Sequence, residues 1–153
     1  MTTEVAFTRA ASVAERIERL LEGARVRVSI DAALYRFANP RLARALESAV
    51  SRGVSVRLVL DRSKDRETPA TRELLSTLRI PYRLSCGRQS AHSKMHHKFS
   101  ILDNPTVLTG SYNWTLDSEE LNYENLVILR EPEVLQSHRF EFEELWRSSA
   151  EAP

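Results

Sequence analysis

Apolar positions along this chain switch repeatedly between a period of two and a period near 3.6, which predicts strands alternating with helices. The segments that read as strands are 4–7, 25–30, 54–60, 80–84, 95–103, 106–109 and 125–129. Apolar stripes at helical spacing begin near residues 13, 40, 69, 116 and 132. This order predicts one α/β domain over residues 1–153, with a mixed β-sheet sandwiched between helices on both faces.

The ends of two helices carry recognisable capping residues. Ser12 and Glu15 have the spacing of a capping box, in which the two side chains satisfy each other's free backbone amides. Gly23 follows the last apolar position of the same helix and is expected to end it in the left-handed conformation. Asn39 precedes Pro40, which predicts an N-cap with proline at the first helical position.

The stretch from residue 96 to residue 113 contains the candidate chemistry. Its spacing is His-x-Lys-x4-Asp-x6-Gly-Ser-x-Asn, and the fixed positions are His96, Lys98, Asp103, Gly110, Ser111 and Asn113. Because strand side chains alternate, His96 and Lys98 are expected on one face and Asp103 on the other. A nucleophile or base beside a fixed cation suits chemistry on a phosphate. Asp103 is expected instead to tether backbone groups or cations.

This constellation resembles the phospholipase D superfamily, whose signature is the HKD motif followed by a Gly-Ser-x-Asn turn. The resemblance extends to Glu124 and Asn125, which match a downstream Glu-Asn element, and Asp103, Gly110 and Asn125 would support the site. Many members carry two motifs, whereas this chain carries one. Among single-motif members it most resembles the small Nuc-type endonucleases, over almost its whole length, which implies a phospholipase D-like fold with one HKD half.

The resemblance also implies a mechanism. His96 would attack phosphorus as a neutral imidazole and form a phosphohistidine. Lys98, Ser111 and Asn113 would bind the phosphate oxygens, and Glu124 would accept a hydrogen bond from an imidazole nitrogen. In two-motif relatives the second motif's histidine protonates the leaving oxygen, so here that histidine is expected from another subunit of a homodimer with the site on its two-fold axis. The scheme requires no cofactor and no metal.

The distribution of charge adds a candidate groove. The net charge of +1 favours no partner, but no acidic residue lies between Glu73 and Asp103. That interval holds Arg79, Arg83, Arg88, His92, Lys94, His96, His97 and Lys98. Such a segment would attract an anionic substrate and be screened by salt. Arg88, His92 and Lys94 are therefore candidates for a substrate groove, while decoration of a loop is an equal alternative for His92 and Lys94.

Other polar and aromatic side chains have two interpretations. Tyr112 and Trp114 either stack on bases or pack in the core. Ser111 either binds phosphate or serves only the turn. His97, facing away from His96, is expected to be structural, and His138 is expected to be a satisfied core histidine.

The remaining features concern compartment and substrate. Cys86 is the single cysteine, which excludes an intrachain disulfide and a Cys-rich zinc site. No signal peptide or membrane span is recognisable, so a cytoplasmic protein without stable membrane association is expected. We predict a metal-independent, non-specific endonuclease, for which DNA and RNA are equally compatible substrates. A phospholipid hydrolase of the cardiolipin type or a phosphatidyl transferase is the alternative, and a non-catalytic binding module is a third.

Overall fold

The computed structural model describes residues 2–89 and 92–151. Its strands are β1 (Glu4–Phe7), β2 (Ser29–Leu34), β3 (Ser55–Asp61), β4 (Tyr82–Ser85), β5 (Lys98–Leu102), β6 (Thr106–Gly110), β7 (Asn125–Leu129) and β8 (Ala150–Glu151). Its helices are α1 (Val13–Glu22), α2 (Pro40–Ser51), α3 (Arg62–Glu67), α4 (Pro69–Leu78), α5 (Leu116–Glu120) and α6 (Pro132–Ser148).

All eight strands form one sheet, in the order β1-β7-β6-β5-β2-β3-β4-β8. Strands β2, β3 and β4 run parallel, and the other neighbours are antiparallel, so the predicted mixed sheet is confirmed. In register, Leu34 at the end of β2 lies opposite Lys98, and Gly110 at the end of β6 lies opposite Leu126. The motif residues of β5, β6 and β7 therefore lie at one end of the sheet, where β3 ends at Asp61.

Helices cover both faces of the sheet, as predicted. On one face the larger core contains Ile17 and Leu21 of α1, Leu42 and Leu46 of α2, and Leu58 of β3. These five side chains are completely buried. Helical spacing places the α1 and α2 side chains on one stripe each, so burying those stripes stabilises the helices more than their intrinsic propensity does.

The opposite face carries a smaller core under α6. Phe99 and Ile101 of β5 and Val107 of β6 pack there against Leu135 and Phe142. Residues at odd positions of β5 thus face α6, while Leu102 belongs to the larger core. The alternation expected for the motif strand is confirmed.

The second strand lies four residues further along than predicted. The prediction placed it at 25–30, but β2 spans Ser29–Leu34. Val26 is 64% exposed, and Arg27 has a φ of 80°, which breaks the extended chain. Ala32 and Ala33 are completely buried between β3 and β5. Small residues suit a central strand covered on both faces, whereas residues 25–28 form the turn that precedes it.

The ends of α1 also differ from the prediction. Gly23 is right-handed, with a φ of −72°, because its backbone N–H continues the helical bonding to the Arg19 carbonyl at 3.1 Å. Ser12 does cap the helix by accepting from the Glu15 N–H at 3.0 Å. The Glu15 side chain, however, pairs with Arg19, and Glu119 of α5 receives the Ser12 hydroxyl instead. A tertiary contact has replaced half of the local capping box.

Two other strands begin later than predicted. β5 begins at Lys98 rather than at residue 95, and β4 begins at Tyr82, directly after Pro81, which cannot donate a ladder hydrogen bond. Helix α3 and the two-residue strand β8 were not predicted. The predicted loop 85–93 follows β4, but its residues 90 and 91 lie outside the described residues.

Candidate active site

His96, two residues before β5, lies beside Lys98, the first residue of that strand. The Lys98 Nζ is 3.1 Å from Nδ1 of His96 and also donates to the His96 carbonyl oxygen at 2.8 Å. His96 is exposed and Lys98 is half-buried, so the pair opens onto solvent from a fixed strand. An ammonium can only donate, so this contact favours a neutral imidazole. The predicted common face of the two side chains is confirmed.

Tyr35, directly after β2, forms one wall of this pair. Its ring centroid is 4.4 Å from that of His96, and Lys98 Nζ lies 5.2 Å from the Tyr35 ring centroid. Burial and the Lys98 ammonium lower the pKa of His96, against an opposing effect of the Asp61 carboxylate. Burial also lowers the pKa of Lys98, which Glu124 opposes. Burial and the neighbouring ammonium therefore favour the neutral form of His96.

The Gly-Ser turn is shaped by Asn125. The Ser111 hydroxyl oxygen accepts from the Asn125 backbone N–H at 3.0 Å and lies 3.4 Å from its Nδ2. With its lone pairs occupied, this exposed hydroxyl can still donate its hydrogen to an anion. Gly110 has a φ of 142°, and a Cβ there would lie 2.4 Å from the Asn125 carbonyl oxygen, so the position requires glycine.

Asn113 and Glu124 are linked through Ser118. The buried Ser118 hydroxyl donates to Glu124 at 2.6 Å and accepts from the Asn113 N–H at 3.2 Å. The Oδ1 of Asn113 is buried, with no hydrogen-bond partner among the described residues. The predicted hydrogen bond from an imidazole to Glu124 is not made within the described part of this chain, where one carboxylate oxygen accepts from Ser118. Glu124 is instead positioned by α5 and acts electrostatically on Lys98.

Asp61 is a component of the site that sequence reasoning missed. Its side chain is completely buried, and one carboxylate oxygen accepts from the Met95 N–H at 2.9 Å. The other oxygen accepts from the Lys64 N–H at 3.1 Å, capping α3. Asp61 therefore fixes the chain one residue before His96. The sequence did carry a signal for it: Asp61 is an acidic residue at the end of a predicted buried strand, where it can serve as the N-cap of a following helix.

The opposite face of the motif strand is structural. His97 contacts Glu141 of α6 at 2.9 Å, and Asp103 pairs with Arg139 of the same helix. The predicted structural roles of His97 and Asp103 are thereby confirmed. His138 is part-buried with Nδ1 2.8 Å from the Val134 carbonyl oxygen, as expected of a satisfied histidine.

The two aromatic residues of the turn belong to the core. Tyr112 and Trp114 are 1% and 2% exposed, so neither can stack on a base. The Tyr112 hydroxyl donates to Glu119 at 2.7 Å, and burial raises its pKa far above the ordinary value. Trp114 packs against Phe37. Of the two interpretations left open by the sequence, the core one is correct.

The basic interval does not form one continuous patch. Arg79 ends α4 at the far end of the sheet, and Arg83 donates to the Trp146 carbonyl oxygen under α6. Arg88 and His92 are exposed in the loop before the motif, and Lys94 donates to Ser63 at 2.7 Å. The loop that holds Arg88 and His92 follows β4 at the end of the sheet where His96 lies, whereas Arg79 lies at the far end.

Neither a metal cluster nor a membrane-spanning helix is formed by the described residues. In residues 2–89 and 92–151, no group of three or more His, Cys, Asp or Glu is placed to hold a metal ion. Within the same ranges, no helix combines the length and apolar character that crossing a bilayer requires.

The electrostatics of His96 predict a pH dependence. A histidine that attacks phosphorus must be neutral, so an activity that depends on His96 as nucleophile falls when the ring is protonated, and the lowered pKa moves that loss toward acid. We expect the pH profile of kcat/KM, measured with a phosphodiester substrate, to have an acidic limb whose apparent pKa is below the ordinary histidine pKa of about 6.5. An acidic limb above that value would contradict a site in which burial and Lys98 favour the neutral ring.

Comparison with known families shows what this arrangement is similar to. Residues 17–146 match the family described as "Cardiolipin synthase, PLD-like domain". The mitochondrial cardiolipin hydrolase of Danio rerio is 34% identical over 138 residues, covering 90% of this chain and 58% of that protein. The protein of the same name from Homo sapiens is 34% identical over 139 residues, covering 88% and 51%. The chain thus spans little more than half the length of these relatives.

Two solved structures match nearly the whole chain. Nuc from Salmonella typhimurium, a phospholipase D family member, superposes with a TM-score of 0.86 at 27% identity, covering 99% of this chain and 97% of that one. NucT from Helicobacter pylori matches with a TM-score of 0.83 at 23% identity, covering 99% and 100%, which shows a common fold. The predicted phospholipase D-like fold is confirmed.

Proposed function

Because the chain belongs to the phospholipase D superfamily and has the fold of Nuc, we propose that it is a metal-independent phosphodiesterase that cuts nucleic acid. The observation that carries this proposal is the 3.1 Å contact between Lys98 and the His96 ring at the open end of the sheet. One side chain can attack phosphorus and its neighbour can neutralise the phosphate. Ser111 supplies a further donor on the same end.

In the proposed reaction, the neutral His96 ring attacks phosphorus. A phosphorus–nitrogen bond forms, and the bond to the leaving oxygen breaks. Lys98, Ser111 and Asn113 stabilise the charge on the phosphate oxygens. The leaving oxygen takes a proton from His96 of the partner subunit. Water then attacks the same phosphorus, returns its proton to that second histidine and releases His96.

The proposed dimer places both motif ends on one two-fold axis. Exposed apolar side chains near Glu124 support an interface with the partner subunit at this end of the sheet. Phe7 is 55% exposed, Leu121 77% and Tyr123 78%. All three lie close to the end of the sheet that carries the motif. Large exposed apolar groups in one region are typical of an interaction surface.

Lipid phosphodiester hydrolysis is the second candidate function. Relatives at 34% identity are named cardiolipin hydrolases, and a cavity of about 490 Å³ lies beside Glu124. Phe7, Ala10 and Tyr123 contribute to its lining. An apolar cavity beside a phosphate site suits an acyl chain or glycerol backbone. We favour nucleic acid because Nuc from Salmonella typhimurium superposes on nearly the whole chain, and because Lys98 contacts His96 while Lys94 lies two residues before it.

A substrate panel tests the proposal. We expect the purified protein in excess chelator to cut single-stranded DNA, duplex DNA or RNA, with a rate that falls as salt rises, because phosphate binding releases counterions. Vesicles containing cardiolipin form the parallel arm. Cleavage of cardiolipin alone would select the second candidate. Loss of all cleavage in chelator, restored by magnesium, would contradict the histidine mechanism.

A further inference from the structure

All three lysines of the chain converge on the candidate active site. The sequence holds 22 Lys and Arg, of which only Lys64, Lys94 and Lys98 are lysine. Lys98 Nζ and Lys64 Nζ lie 5.2 Å and 5.8 Å from the ring centroid of Tyr35, the ring that packs on His96. Lys94 precedes His96 by two residues and reaches Ser63, the neighbour of Lys64. Three segments of the fold therefore bring these ammonium groups to one place.

The Lys94 side chain is held by a hydrogen-bonded chain. Its Nζ donates to the Ser63 hydroxyl at 2.7 Å, and that hydroxyl donates to the buried Asp61 carboxylate. The same carboxylate caps α3 at Lys64 and anchors Met95. An ammonium has three N–H donors, and Ser63 takes one of those on Lys94. The lysine is thus oriented while keeping donors for an anion.

The three lysines differ in their surroundings. Lys98 is half-buried, contacts His96 and serves the phosphate under attack. Lys94 is exposed in the segment before β5, and Lys64 belongs to α3, outside the motif. One phosphodiester carries a single negative charge, which Lys98 can neutralise. The N–H donors that Lys94 keeps, with Lys64 near the same Tyr35 ring, suit a substrate that carries a second phosphate close to the first.

We propose that Lys64 and Lys94, with Tyr35 and Ser63, form a subsite for the phosphate that neighbours the scissile one on a nucleic-acid strand. This inference rests on the proposed function and specifies how that site holds its substrate. Ammonium groups recognise phosphate as point charges and contact no base, so the subsite contributes affinity without sequence preference. It also predicts that a substrate with several phosphates is preferred over an isolated diester.

The test compares two substrates in one double variant. Lys64→Met with Lys94→Met keeps the side-chain length and removes both charges. Arg25→Met is the matched control, because Arg25 is exposed before β2, at the other end of the sheet. The substrates are a single-stranded DNA oligonucleotide and bis(p-nitrophenyl) phosphate, which has one phosphate. Circular dichroism establishes that each variant is folded.

We expect kcat/KM for the oligonucleotide to fall at least about tenfold more than kcat/KM for the single diester. The slope of its salt dependence should become shallower by about 0.7 for each lysine–phosphate interaction that the substitutions remove. Equal reductions on both substrates, or reductions no larger than in Arg25→Met, would overturn the subsite while leaving the proposed function intact. Wild-type protein that cuts neither substrate would overturn the proposed function itself. A selective reduction on cardiolipin over phosphatidylglycerol vesicles, with none on the oligonucleotide, would overturn the nucleic-acid assignment.

Discussion

Replacing His96 with alanine is expected to lower phosphodiester turnover by at least about a thousandfold while leaving the fold intact. The side chain is exposed, and its ring lies beside Lys98 and Tyr35 rather than in the core. Removing the side chain should change the free energy of unfolding little, because it is exposed, but it eliminates the proposed nucleophile. Steady-state rates on single-stranded DNA measure the effect, and thermal unfolding measures the stability.

The adjacent histidine provides the control for this experiment. His97 is also exposed, but it points to the other face and pairs with Glu141 at 2.9 Å. His97→Ala removes an imidazole one residue away and is expected to change turnover by no more than a few-fold. If a well-folded His96→Ala protein kept more than a few per cent of wild-type activity, the assignment of His96 as nucleophile would be wrong.

A mixed dimer of wild-type and His96→Ala chains is expected to lose activity by at least about a hundredfold. Double displacement at phosphorus needs a nucleophile and a separate acid, and each chain offers one His96. The mixed dimer lacks one of the two whichever way the substrate binds. Coexpression with two different affinity tags and sequential purification yields this species for direct comparison with both homodimers.

Two results would contradict the shared site. A mixed dimer with about half of wild-type activity would show that each subunit works independently. Light scattering that detects an active monomer at assay concentration would lead to the same conclusion. In either case the acid that protonates the leaving oxygen would have to come from the same chain as His96.

The parts of the site that follow from local spacing were predictable. Strand alternation is a property of the backbone, so it placed His96 beside Lys98 and turned His97 and Asp103 toward α6 without any knowledge of the fold. The glycine turn was predictable for a related reason, since Gly110 occupies a conformation and a close approach that no side chain tolerates.

Features that depend on distant segments were not predictable. Asp61 lies 34 residues from Met95, and only the pairing of β3 with its neighbours brings its carboxylate to that amide. At the start of α1, the Ser12 hydroxyl donates to Glu119 rather than to the nearby Glu15. Glu119 lies 107 residues away from Ser12 in the sequence. The predicted bounds of the second strand, 25–30, were wrong. Apolar alternation favoured them, but β2 is the segment buried between β3 and β5, which is Ser29–Leu34.

The choice between core and substrate for the turn aromatics also depended on tertiary structure. Tyr112 and Trp114 are aromatic side chains of the kind that stack on bases. Both are buried, however, Tyr112 against Glu119 and Trp114 against Phe37. The aromatic ring that does lie at the site is Tyr35, from a loop after β2. No local pattern distinguishes an aromatic residue beside a strand end from one inside the core.

The stereochemical course at phosphorus tests the central claim most directly. A substrate with a chiral phosphorothioate diester is hydrolysed in ¹⁸O-labelled water, and the configuration of the product is determined. Attack by His96 followed by attack by water inverts the phosphorus twice, so the account predicts net retention of configuration. Net inversion would show a single displacement by water and would contradict a phosphohistidine intermediate.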